Sequence, residues 1–93
     1  MPLLLDYSKI ASEIIKHQEF VIGPVAWSEA KSVKGIVIRD HNVEIKGDGK
    51  KIVEELVNQY ATLFGRASVE VCRDAVKNLL PKVENTMIPS VLL

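Results

Sequence analysis

From Tyr7 onward the apolar and polar positions of the chain separate with a helical period. In "DYSKIASEIIKHQEF" the residues Tyr7, Ile10, Ala11, Ile14 and Ile15 share one stripe, with Ser8, Lys9, Ser12, Glu13 and Lys16 opposite. This spacing predicts a first helix over residues 7–18, with Asp6 accepting from the free N–H groups of its first turn. Gly23 can supply a bend, and Pro24 has no N–H to lose at a first helical position, so a second helix is expected over 24–33. Its stripe of Ala26, Ala30 and Val33 is made of mostly small side chains and lets another helix approach closely. Trp27 lies beside that stripe, which places it at the core margin, as a candidate contact residue whose indole N–H turns to water or a backbone carbonyl.

After Gly35 the period falls to two. Ile36–Arg39 is β-rich, Asp40, His41 and Asn42 form a polar connection, and Val43 and Ile45 then alternate with Glu44 and Lys46, which predicts a hairpin. Two strands alone are marginal in water, so the Val/Ile face has to lie on helices or join a sheet from another chain. In the next segment Ile52, Val53, Leu56, Val57, Tyr60, Leu63 and Phe64 form a broad apolar face, and Glu54, Glu55, Asn58 and Gln59 a wet one. Asp48 or Gly49 opens this third helix and Gly65 closes it. Val69, Cys72, Ala75, Val76, Leu79 and Leu80 mark the inner face of a fourth, which Pro81 ends or kinks. The expected fold is a small single α+β domain of order ααββαα, a β-hairpin packed with two helical pairs. It spans residues 1–86, with an apolar arm over 87–93.

The length of 93 residues suits one domain. A chain of this size buries roughly 60–65 % of its unfolded surface, which leaves a thin stability margin and gives weight to a partner or a second copy. Hydrophobic residues at 47 % and charged residues at 26 % speak for a globular chain rather than a disordered one. The zero net charge gives no general attraction to nucleic acid or anionic lipid. The lone Cys72 precludes an internal disulfide or a multi-cysteine zinc site. The short apolar start "MPLLLD" meets Asp6 too early for a signal-peptide core, and no apolar run approaches membrane-spanning length, so a cytoplasmic protein is expected.

Candidate chemistry is sparse. "GDGKK" lacks the spacing of a phosphate loop and suits a hairpin exit leading into a helix. His17 and His41 have no metal-ligand partner at helical spacing, and no metal or cofactor is expected. Asp40 and His41 are adjacent turn residues with no nucleophile that can be placed beside them. Cys72 on an inner stripe is a buried small hydrophobe, although Arg73 beside it would lower its pKa were the sulfur exposed. Glu54 and Glu55 share a solvated face.

Two stretches bear resemblances. "ATLFGRASVEVCRDAV" resembles a bacterial and archaeal helix-turn-helix. Ala61, Gly65 and Val71 match its small residue, turn glycine and apolar recognition-helix position, and Ser68 and Arg73 stand where polar contacts are common. The resemblance implies DNA contacts through Arg66, Ser68, Arg73 and Lys77. Arg66 and Asp74 occupy places that the motif fills with apolar residues, and Glu70 and Asp74 put negative charge where phosphates would sit. "VIGPVA", residues 21–26, resembles the helix start of small prokaryotic domains attached to signalling proteins, which implies a non-enzymatic adaptor or output role.

The expected function is therefore that of a protein-interaction or adaptor module, non-enzymatic and homodimeric, with another protein or itself as partner. Its contact residues are Trp27 and the arm residues Met87, Ile88, Val91, Leu92 and Leu93. A small DNA-binding regulator is the alternative, and a small-ligand enzyme the third.

Overall fold

A computed structural model describes residues 7–40 and 42–77. Four helices and one hairpin follow in the order α1 (Tyr7–Ile22), α2 (Val25–Lys31), β1 (Ile36–Arg39), β2 (Asn42–Ile45), α3 (Gly49–Phe64) and α4 (Arg66–Lys77). The chain is thus a small α+β domain of order ααββαα.

The two 16-residue helices α1 and α3 are each about 24 Å long and run parallel. Their starts meet where Tyr7 covers Gly49, a position at which any side chain would collide with the phenol ring. Helix α4 returns antiparallel to α1, because Gln18 near the end of α1 bonds to Ser68 and Cys72 near the start of α4. Ile10, Ala11, Ile14 and Ile15 from α1, Ile52, Val53, Leu56, Val57 and Tyr60 from α3, and Cys72, Ala75 and Val76 from α4 make the core. The 3.6-residue stripes read from the sequence are these buried faces.

Helix α2 sits over the α1–α3 pair through Ala26, Trp27 and Ala30. The small side chain of Ala26 lets the Tyr60 hydroxyl reach its carbonyl oxygen at 2.7 Å, and Gln59 Nε2 donates to Glu29 Oε1 at 2.9 Å. These two bonds tie α3 to α2. The antiparallel hairpin pairs Ile36 with Ile45 and Ile38 with Val43, which puts four β-branched side chains on one face. That face packs on the helical core. The hairpin's need for cover is met within the chain.

Several boundaries differ from expectation. Helix α1 continues four residues beyond 18, through Phe20, which stands off its apolar stripe, and Val21 and Ile22, which continue it. Helix α2 is shorter at both ends than 24–33, and Val33 is buried in the turn that follows it. Asn42 belongs to β2 rather than to the connection, where Asp40 takes a left-handed φ of 49°. Trp27 is only 6 % exposed, so it is an anchor of the core and not a residue at its margin.

Candidate functional site

The parallel course of α1 and α3 gives the molecule two ends. The hairpin end holds the starts of both long helices, the strands and the close of α4. The helix end holds the finish of α1, the start of α2 after Gly23, the finish of α3 and the start of α4 after Gly65.

Among the described residues five large apolar side chains are exposed, and all five belong to the helix end. Phe20 is 93 % exposed, Val21 64 %, Val25 39 %, Leu63 49 % and Phe64 40 %. The cause lies in helix geometry. Both long helices extend past their last fully buried residues, Gln18 in α1 and Tyr60 in α3, and among the described residues Ile22 still packs on the core while Phe20, Val21, Leu63 and Phe64 remain exposed. Leu63 and Phe64, placed by their period on the apolar face of α3, therefore emerge beyond the core. Phe20 carried no such signal, since it lies opposite the stripe of α1, and Val21, seven residues after Ile14, falls past the expected end of that helix.

Beneath this surface the core closes on a small polar arrangement. Gln18 is fully buried, and its Nε2 donates to the Ser68 carbonyl oxygen at 2.8 Å and to Cys72 Sγ at 3.2 Å. The Ser68 hydroxyl donates to the Gly65 carbonyl oxygen at 2.7 Å, which secures the first turn of α4. Burial pushes the Cys72 thiol up to about 11, against a smaller opposing effect of the Gln18 hydrogen bond. A thiol held protonated in this way is a poor nucleophile. The Tyr60 phenol is likewise raised, first by burial and then by the neighbouring Cys72 and Glu29. Gln18 escaped the sequence reading because its partners lie 50 and 54 residues away.

The hairpin end has a different surface. One open cleft there, of about 250 Å³, is lined by Lys34, Lys46, Asp48, Lys51 and Glu55, and another of about 290 Å³ runs along α3 from Glu55 through Asn58 and Gln59 to Thr62, beside Ser32 and Lys34. Asp48 caps α3 by accepting from the Lys51 N–H at 3.3 Å, as the sequence suggested. Neither cleft is lined by Asp40 or Cys72. Asp40 is exposed beside the hairpin tip, and Cys72 is buried on α4. Among the described residues no three His, Cys, Asp or Glu side chains are grouped to hold a metal ion, and no helix is long and apolar enough to cross a membrane.

Of the positions named for DNA contact, Arg66 and Lys77 are exposed, at opposite ends of α4. Arg73 pairs with Glu70 at 2.7 Å, and Ser68 is 4 % exposed. Helix α4 turns one face to α1 and α3, and that face takes in Ser68 along with Cys72, Ala75 and Val76. His17 Nδ1 lies 2.9 Å from the Glu13 carbonyl oxygen within α1. Asp6, His41, Leu79, Leu80, Pro81 and the arm residues Met87, Ile88, Val91, Leu92 and Leu93 lie outside the described residues.

Comparison of the chain with protein-family models, with curated proteins and with solved structures yields no match.

Proposed function

We propose that this domain is a protein-interaction module whose contact surface is the helix end. The observation that supports it is the gathering of Phe20, Val21, Val25, Leu63 and Phe64 at the surface of that end. An isolated exposed apolar residue is ordinary, but several large ones at one end, over a core that is already closed beneath them, are characteristic of partner-binding surfaces. Aromatic side chains suit this work because they bring large area with only two rotatable bonds to immobilise. Trp27 supports the surface from within, while the exposed phenylalanines supply the contact.

The test is to install a photo-cross-linking amino acid at position 20 or 64 and, as a control, at exposed position 58, within cells of the native source. Protein adducts from 20 and 64 but not from 58 are expected. Absence of protein adducts from both helix-end positions would overturn the proposal.

A further inference from the structure

We infer that the two clefts beside α3 form one binding site for a small phosphorylated polyol, the class to which sugar phosphates belong. The site is separate from the apolar contact surface, since none of Phe20, Val21, Val25, Leu63 and Phe64 lines it.

The base of the hairpin supplies the charge. Lys34 and Gly35 lead into β1, Lys46 and Gly47 leave β2, and the Lys46 N–H donates to the Gly35 carbonyl oxygen at 2.8 Å, so the two Lys-Gly steps lie side by side. Both glycines abut Ile52, which seats the hairpin on α3 and brings its neighbour Lys51 to the same cleft. Three ammonium groups from three segments therefore border one cavity. Among the described residues none of the three forms an ion pair, although Asp48 and Glu55 line the cavity with them. Asp48 is engaged in capping α3 through the Lys51 N–H. Three positive and two negative groups leave one net positive charge, and an incoming anion relieves the mutual repulsion of the lysines. Lysine is a compact point charge suited to phosphate, and no arginine fork is present here to hold a planar carboxylate.

The second cleft supplies the polyol end. It shares Lys34 and Glu55 with the first, so the two are continuous. Lys51, Glu55, Asn58 and Thr62 follow at offsets of four, three and four, a single stripe of α3 that carries the groove about 16 Å along the helix. Each cleft alone falls short of the roughly 300–1,000 Å³ usual for small-molecule sites, and joined they reach it. Beyond the lysines the lining offers the Glu55 carboxylate, the Asn58 amide and the Thr62 hydroxyl, a mixture of acceptors and donors that matches a row of hydroxyl groups. Neither cleft is lined by an aromatic side chain, so a nucleobase would have nothing to stack on.

Titration of the isotope-labelled full chain, followed by amide NMR, tests this with glucose 6-phosphate, glucose and inorganic phosphate as probes. Glucose 6-phosphate should give saturable shifts at Gly35, Gly47 and the Asn58 side-chain amide. Inorganic phosphate should bind more weakly and shift the glycines alone, and glucose should shift neither. The double substitution Lys46→Gln/Lys51→Gln, at two exposed positions, should weaken glucose 6-phosphate at least about tenfold with melting retained. Lys31→Gln, at the end of α2 and outside both clefts, should leave binding unchanged. Phosphatidylcholine vesicles doped with phosphatidylinositol phosphate identify the source of the ester: co-sedimentation that the same double substitution weakens assigns the site to a lipid headgroup, and its absence to a soluble ester. No saturable shift with glucose 6-phosphate, equal affinity for inorganic phosphate, or undiminished binding by the Lys46→Gln/Lys51→Gln variant would each overturn the inference.

Discussion

The two ends of this molecule use similar side chains to opposite effect. At the hairpin end Ile36 and Ile52 are 7 % and 6 % exposed, and Ile38, Val43 and Ile45 pack against the core. At the helix end Phe20, Val21 and Leu63 stand half to fully in water. Hydrophobicity is comparable, and what differs is the presence of an opposing layer. Strands and turns lie over the starts of α1 and α3, whereas among the described residues Phe20, Leu63 and Phe64 near their finishes stay exposed. Folding is thus completed at one end and leaves surface to spare at the other, which is the separation an interaction module requires between stability and contact.

The widest contrast is predicted for one introduced carboxylate at each end. Ile52→Asp buries an unpaired charge at a cost of several kcal/mol, against a total stability commonly of about 5–15 kcal/mol, and should abolish cooperative unfolding. Phe20→Asp should shift the denaturation midpoint by no more than about 0.5 kcal/mol. Urea titrations followed by circular dichroism compare the two. Equal losses would mean that the ends are not distinct.

The polar arrangement between the ends gives a second, smaller effect. Below pH 9 the Cys72 thiol is protonated in both the folded and the unfolded chain, and its contribution to stability is complete. As the pH rises from 9 to about 11 the unfolded chain loses this proton first, so stability falls across that window. The loss from Cys72 is about 2 kcal/mol, and Tyr60, also raised by burial, adds to it above its ordinary value of 10. Comparing the pH dependence of unfolding in the parent and in Cys72→Ala isolates the thiol. Identical slopes between pH 9 and 11 would place the sulfur in a wetter environment than the core beneath the helix end.

Much of this contrast was legible in the residues. The stripes Ile10–Ile15, Ile52–Tyr60 and Cys72–Val76 showed which faces of the helices are buried, and the alternation after Gly35 showed the hairpin and its apolar face. Periodicity gives the direction of a side chain around its helix axis and not where the neighbouring element stops. That is why Leu63 and Phe64 read as core and yet emerge, and why α1 seemed to end before Phe20. Trp27 read as marginal because its stripe is narrow, but α2 is short and seated closely enough to bury residues on both sides of Ala26 and Ala30. The candidate surface was therefore the least legible part. It consists of residues whose importance lies in what the fold leaves uncovered.

The smallest predicted contrast concerns two glycines with left-handed backbone, Gly35 at the hairpin end with φ 96° and Gly65 at the helix end with φ 85°. A Cβ on Gly35 would lie 2.6 Å from Ile52 Cδ1 and 3.0 Å from the Lys46 carbonyl oxygen, whereas one on Gly65 meets nothing within 4 Å. Gly65→Ala should cost about 1 kcal/mol of backbone strain, and Gly35→Ala about 1 kcal/mol more through crowding. Thermal denaturation of the pair decides the order, and a costlier Gly65→Ala would show that the helix end is more tightly built than its exposure indicates.

Hydroxyl-radical footprinting of the full chain tests the claim that the helix end is a contact surface most directly, because it reads the side chains themselves. In dilute solution Phe20 and Phe64 should oxidise readily while Trp27, despite its intrinsically reactive indole, is protected by burial. On addition of an extract of the native source, both phenylalanines should become protected and the exposed hairpin-end residues should not change. Oxidation of Phe20 and Phe64 that stays the same with and without an extract of the native source would contradict the account.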